Sequence, residues 1–380
     1  MRCLGLMSGT SADGVDAVLA DFRGSPNHPQ WELIRHVHSP YPEGLRHRVV
    51  SAGQGETGCA EQWLDLAEAI TEAQAKAARS CDPSGEAVLI GCHGQTVWHR
   101  PPTSRQRGAS WQLLQAPLLA QLLERPVVHD FRAADLALGG QGAPLVPRAD
   151  AALLGGTTGW RALLNLGGIA NLTLIPPCCG PERDAPVQGW DCGPANSLID
   201  LAVQQFSNGT LHFDRGGTMA KAGQSDETSI RRWLQEPYFQ SPPPKSTGRE
   251  LFGRANLQQR LNNLGQGCSN HDAVATLTSF SAAVVAQDLD QLMQRDQIRP
   301  LELIVAGGGR HNPVLMDQLQ WRCRGLQLSS SQEIGLPVEA REALVFALLA
   351  WWHQRNHPAN APSITGARRE AVLGVVVNPG

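Results

Sequence analysis

The run Gly5-Leu6-Met7-Ser8-Gly9-Thr10-Ser11-Ala12-Asp13-Gly14-Val15-Asp16 leaves an apolar stretch, crosses a turn rich in glycine and hydroxyls, and enters a second apolar stretch. Strands are expected at residues 3–7 and 15–22. Glycine admits positive φ and carries no Cβ, so successive backbone N–H groups can converge on an anion. Ser8, Thr10 and Ser11 add hydroxyl donors, and Asp13 and Asp16 could take a metal or its waters. Residues 9–16 therefore read as a phosphate-gripping hairpin, with a plain tight turn as the other reading.

The plan recurs. LLNLGGIANLTLI, residues 163–175, is again strand, glycine turn and strand, and suggests a duplicated core with one copy per domain. Gly167 and Gly168, with Asn171 beyond them, would let backbone approach a second face of the same phosphates. A third glycine run, Gly307-Gly308-Gly309, ends a strand expected at residues 302–306, and its geometry suits packing on a flat base or a ribose. Each run alone is weak; three at strand ends of one chain point to a nucleotide. Other nucleotide and hydrolase signatures are missing. There is no GxxxxGK[ST] loop, no GxGxxG in a βαβ frame and no GxSxG elbow.

Composition sets the outer bounds. At 380 residues, two domains are expected. A net charge of −3 lacks the basic excess of a nucleic-acid binder. The nine cysteines form no CxxC pair, which fits reduced thiols in the cytoplasm; adjacent Cys178 and Cys179 read as loop residues. No apolar run is long enough to span a membrane. Short apolar runs alternate with helical patterns, the mark of an α/β chain. Helices are expected at residues 61–79, 196–205, 272–294 and 340–353, and a closing strand at 372–377. Residues 23–43 read as polar, proline-bearing sequence, 175–189 as a long hairpin loop, and 235–250 as an extended surface segment.

Phosphoryl transfer needs a group that orients or deprotonates the nucleophile. Asp191 in GWDCGPANSLID stands at a strand end beside a coming helix N-terminus, which suits an ionised base; an N-cap is the alternative. His93-Gly94-Gln95-Thr96 offers hydrogen-bonding groups at a strand end. Arg132 could clamp a carboxylate or phosphate, or pair with Asp130 or Asp135. Glu342 opens an apolar helix, where a carboxylate also complements the helix dipole. The island 245–250, KSTGRE, reads as a solvated loop.

Taken together these segments resemble the anhydro-N-acetylmuramic acid kinase family. The resemblance runs through residues 5–16, 92–101, 127–147, 164–173, 191–200, 213–217, 243–252, 305–316 and 342–351, in order and over nearly the whole chain. It implies an α/β fold of two ribonuclease-H-like domains, of the actin/Hsp70/sugar kinase type, flanking a central cleft. An N-terminal lobe of residues 1–128, joined by about 354–380, and a C-terminal lobe of 129–353 are expected. The implied reaction hydrolytically opens 1,6-anhydro-N-acetylmuramic acid and phosphorylates O6 with ATP. It gives N-acetylmuramic acid 6-phosphate and ADP in cell-wall recycling. By motif, Gly9, Thr10, Ser11, Ala12, Asp13, Gly14, Val15 and Asp16 would grip ATP phosphates. Asp191 would be the base, and Thr96, Arg132 and Glu342 would contact the sugar. The cofactors implied are ATP and Mg²⁺, the latter without assignable ligands. The partner implied is the small sugar alone, with no nucleic acid or membrane, and a homodimer is left open. A kinase for another sugar, or a nucleotide-binding regulator, is the alternative. The chain departs from the family at Ala12, where Met is usual, and at Cys192 and Ala195, where Thr and Gly are usual. Cys192 would remove a hydroxyl beside the base, and Ala195 requires a negative φ.

Overall fold

The computed structural model describes residues 1–9, 12–156, 158–243, 245–247, 251–265, 267–333 and 335–380. The chain divides into two compact units, 1–155 with 336–380, and 156–335.

The first unit is built on a seven-stranded sheet. Its strands are β1 (Arg2–Ser8), β2 (Gly14–Ser25), β3 (His28–Pro40), β4 (Leu89–Arg100), β5 (Ala109–Leu113), β6 (Val127–His129) and, from the tail of the chain, β12 (Val375–Val377). The order is β12-β6-β4-β1-β2-β3, with β5 added to the end of β4. β1, β2 and β3 form an antiparallel meander, and β4 and β6 run parallel to β1.

The second unit repeats the scheme with β7 (Arg161–Leu166), β8 (Ile169–Ile175), β9 (Gln188–Pro194), β10 (Glu302–Ala306) and β11 (Gln327–Ser330). Its order is β11-β10-β7-β8-β9: an antiparallel meander, then two strands parallel to the first. Both sheets therefore carry the expected ribonuclease-H-like plan, and the echo between the glycine hairpins is an echo of whole units.

Helices seal the sheets. In Ala60–Cys81, Leu66, Ala67, Ile70, Gln74, Ala75 and Ala78 recur at helical spacing and are buried. Val338–His353 lies on β1, β2 and β4, so close that a Cβ on Gly5 would collide with the Ala343 carbonyl, and one on Gly91 with that of Phe346. Gly5 and Gly91 are cross-strand partners, so together they form a groove for the helix backbone. In the second unit Asn270–Asp296 is capped by Ser269 and buried nearly all round.

Three expectations change. The division falls at 155/156 and 335/336 rather than at 128/129 and 353/354. β6 is a full member of the first sheet, and the Val338–His353 helix packs on that sheet too. Residues 28–40, read as irregular, form an edge strand, with its prolines near the ends where no ladder bond is lost. The segment 235–250 is not a surface excursion throughout: it contains the short helix Pro237–Gln240, and Phe239 is fully buried.

Candidate active site

The first hairpin joins β1 to β2, with Met7 opposite Asp16. Thr10 and Ser11 lie outside the described residues. The Ala12 N–H donates to the Gly9 carbonyl at 3.2 Å, which closes the turn. Beneath it is a buried polar knot. The Ser8 hydroxyl lies 2.6 Å from Tyr41 Oη, 2.6 Å from Gln95 Oε1 and 3.0 Å from the Gly14 carbonyl. The Gln95 amide donates to the Gly9 carbonyl at 3.1 Å. Burial pushes the Tyr41 phenol up to about 12, so it stays a neutral donor.

Several hairpin side chains face the protein. Ala12 and Val15 belong to the apolar core of this unit. Ala12 also adopts φ 51°, a left-handed conformation that strains any residue with a Cβ. A Cβ on Gly14 would overlap the Ser39 carbonyl. Asp16 Oδ1 is met by His36 Nε2 at 3.1 Å and His38 Nδ1 at 3.0 Å. Among the described hairpin residues the Asp13 side chain is exposed.

Thr96, Arg132 and Glu342 belong to this same unit. Thr96 Oγ1 accepts from the Gln112 amide at 3.1 Å. Arg132 donates to the Gly142 carbonyl at 2.7 Å and meets His93 Nε2 at 3.0 Å. A guanidinium only donates, so His93 Nε2 accepts, and its Nδ1–H then donates to the Gly94 carbonyl at 2.9 Å. Burial, aided by Arg132, pushes His93 down to about 3. The alternative pairing of Arg132 with Asp135 does not occur, because Asp135 is taken by Gly142, Asn360 and Thr365. Glu342 follows Arg341, whose Nε donates to the buried Asp150 at 2.8 Å. The Glu342 side chain reaches water but is set among dense protein. Desolvation raises its carboxyl above the usual range, and Arg341 opposes the rise.

In the second unit Gly167 and Gly168 make the turn between β7 and β8. The turn is held by the start of the Asn196–Phe206 helix. The N–H groups of Ala195 and Ser197 donate to the Gly168 carbonyl at 2.9 and 3.0 Å, and that of Asn196 to the Gly167 carbonyl at 3.1 Å. A Cβ on Gly167 or Gly168 would meet nothing closer than 3.7 Å. The glycines at 307 and 309 are needed by packing: Gly307 has φ 84°, and a Cβ on either would press on Leu166. Gly308 is open. With Gly167, Gly168, Ser197, Asp200 and Arg254 it lines a cavity of about 520 Å³, within the range of small-molecule sites.

Asp191 lies on β9 opposite Asn171 of β8, where β9 bulges by one residue. Its carboxylate accepts from the Asn171 amide at 2.7 Å, the Ser246 hydroxyl at 3.0 Å and the Thr247 N–H at 2.9 Å. Asn171, expected at the nucleotide, gives its amide to Asp191. The island at 245–250, read as solvated, supplies two of the three donors. Cys192 is fully buried in the core of the unit, so the hydroxyl lost there would not have faced a phosphate. Ala195 has φ −105°, which its methyl tolerates.

Among the described residues no group of three or more His, Cys, Asp or Glu side chains could hold a metal ion. No helix of the described residues is long and apolar enough to cross a membrane.

A family model described as anhydro-N-acetylmuramic acid kinase matches residues 1–379. The chain belongs to the anhydro-N-acetylmuramic acid kinase family. It is 90% identical, over the full length of both chains, to the anhydro-N-acetylmuramic acid kinase of Synechococcus sp. (strain CC9902). It is 70% identical, again over the full length of both, to that of Synechococcus sp. (strain CC9605). Among solved structures, (R)-2-hydroxyglutaryl-CoA dehydratase component A of Acidaminococcus fermentans aligns over 92% of this chain and 98% of its own. That alignment has 11% identity and a TM-score of 0.41. The strand orders, rather than this distant likeness, define the fold.

Proposed function

We propose that this chain is an ATP-dependent kinase that opens 1,6-anhydro-N-acetylmuramic acid and phosphorylates O6, releasing N-acetylmuramic acid 6-phosphate and ADP. Whole-length membership of the family supports the reaction. The observation that carries the mechanism is Asp191, a carboxylate oriented by three donors from two segments.

In this reading Asp191 takes a proton from a water attacking C1. The new C1–O bond forms as the C1–O6 bond breaks, and O6 attacks the γ-phosphorus of ATP with ADP leaving. The backbone of residues 9–16 and of Gly167 and Gly168 holds phosphates, and the cavity at Gly308 takes the nucleoside. Arg132 meets the lactyl carboxylate of the sugar, with Thr96 and Glu342 as further sugar contacts. Arg132 suits this role because His93, kept neutral, holds the guanidinium without cancelling its charge. Bound Mg²⁺ would supply charge neutralisation at the phosphates, with Asp13 the carboxylate best exposed to approach it. ATP use and free thiols suit the cytoplasm.

The test supplies ATP and Mg²⁺ with either the anhydro sugar or ordinary N-acetylmuramic acid. ADP release is expected with the anhydro sugar. Release with the ordinary sugar alone defeats the reading. Asp191→Asn should lower kcat by about 10²- to 10⁴-fold with ATP binding retained, the usual contribution of a general base. Near-normal turnover would show that the base is elsewhere.

A further inference from the structure

Lys245 has been given no role, yet its contacts all lead to Asp191. Its ammonium meets Asp288 Oδ1 at 2.7 Å, and the two side chains are only 5% and 3% exposed. The other oxygen of Asp288 accepts from the Trp190 indole at 2.9 Å, and Trp190 directly precedes Asp191 on β9. The ammonium also stands 5.3 Å from the centroid of the Tyr238 ring, whose hydroxyl donates to the Asp191 carbonyl at 2.8 Å. Finally, the Asp191 N–H donates to the carbonyl of Lys245 itself at 3.0 Å.

These bonds tie three parts of the chain around one residue: β9, the Asn270–Asp296 helix, and residues 245–247. Among the described residues the last part has no ladder or helix of its own, and the bonds just named hold it. Two of the donors to the Asp191 carboxylate, Ser246 Oγ and Thr247 N–H, follow Lys245 in sequence. Their aim at Asp191 depends on where Lys245 is pinned. A buried ion pair is a poor way to gain stability, because desolvation offsets most of the attraction. An apolar pair would fill the same space. What the charges add is direction: one oxygen of Asp288 fixes β9 through Trp190, and the other fixes the clamp through Lys245.

We propose that Lys245 and Asp288 are positioning residues for Asp191, a latch that sets the clamp of residues 245–247 and thereby the orientation of the carboxylate. The inference rests on Asp191 being the base. None of the latch bonds just named involves Gly167, Gly168 or Gly308. Its loss should therefore appear in the chemical step and not in binding.

The experiment is a double-mutant cycle on the full chain, assayed with ATP, Mg²⁺ and the anhydro sugar. Lys245→Met keeps the length of the stem and removes the charge. It should lower kcat on the order of 10²-fold, as small misplacements of a reacting group do. The KM for each substrate and ATP affinity by titration should stay near wild type. In the Asp191→Asn background the same substitution should lower the residual rate no further. If Lys245→Met does not fold, Lys245→Met with Asp288→Asn removes both charges, keeps an acceptor for Trp190 and is read the same way. An unchanged kcat, a loss confined to KM, or an equal loss in both backgrounds overturns the latch while leaving Asp191 as the base. Near-normal turnover of Asp191→Asn alone overturns the base reading and the latch with it.

Discussion

In the first unit the glycine turn is braced by buried side chains from three separate places in the chain; in the second it is braced by the start of one helix, through main-chain N–H groups and the Asn196 amide. Ser8, Tyr41 and Gln95 form the knot that holds the Gly9 and Gly14 carbonyls, whereas the turn at 167–168 hangs from the first N–H groups of a helix and from the Asn196 side-chain amide, 2.8 Å from the Gly167 carbonyl. Five strands around each are ordered alike, β6-β4-β1-β2-β3 in the first and β11-β10-β7-β8-β9 in the second. A shared topology thus specifies where a turn falls and not how it is held. The units also differ in how a buried ion pair stands to the carboxylate proposed for function. Arg341 pairs with Asp150 one residue before Glu342, on the same helix. Lys245 meets Asp191 directly through its carbonyl, and Asp288 reaches it through Trp190, the preceding residue of β9. The first unit's pair adjoins its carboxylate along one helix, and the second's bonds to Asp191 itself and to Trp190 beside it.

The largest effect expected from breaking this contrast is on the first unit's pair. Arg341→Met leaves the fully buried Asp150 carboxylate without its cation. Removing one partner of a buried pair costs about 3–5 kcal/mol, which chemical denaturation would read as a lower midpoint. A midpoint within error of wild type would mean that water or another donor replaces Arg341.

Next in size is Gly14→Ala. The new methyl must displace the backbone of β3 at Ser39. Forcing a group into filled space costs about 1–3 kcal/mol, with backbone less able to yield than side chains. Thermal melting should register it, and an unchanged Tm would show that β3 can move aside.

The buried histidine of the first unit adds a dependence on pH. In the folded chain His93 is pushed down to about 3 from an ordinary value of 6.5. Between those values the unfolded chain binds the proton and the folded chain does not. The contribution of this group is therefore complete above 6.5 and is lost as pH falls toward 3. A single group of this kind gives a slope of about 1.4 kcal/mol per pH unit. His93→Gln, whose amide oxygen can accept from Arg132, should flatten the slope by that amount in denaturation series run at several pH values. Equal slopes for variant and wild type would place the acid sensitivity elsewhere.

The parts legible in the sequence were those set by local chemistry. The strand at 302–306, the Ala60–Cys81 and Asn270–Asp296 helices and the glycine turns follow from periodicity and from glycine itself. What escaped depends on partners far along the chain. β3 is an edge strand whose burial alternates only weakly, so prolines at 29 and 40 masked it. Asn171 sits in a glycine motif, but cross-strand register turns its amide to Asp191. Gly5 and Gly91 are required by a helix some 250 to 340 residues later in sequence. Lys245 follows a proline run and looks solvated until Asp288 is brought to it. Among these, the glycines at 5 and 91 had a readable signal: each interrupts an otherwise apolar strand, the mark of close backbone approach.

The smallest effect on stability, and the sharpest separation of the two hairpins, is expected from Gly168→Ala. No positive φ and no neighbour closer than 3.8 Å demands a glycine there. The substitution should change stability by less than about 0.5 kcal/mol, as surface changes away from special features do. Its methyl would nonetheless project where a phosphate is proposed to approach the turn. The KM for ATP should rise while Tm stays put, the reverse of Gly14→Ala, where Tm falls first. If Gly168→Ala lowers Tm and spares the KM, the glycines of the second hairpin serve the fold, and the nucleotide reading of that turn loses its support. If both change together, the turn cannot accept a Cβ even without ligand, and the difference between the hairpins reduces to how each is braced.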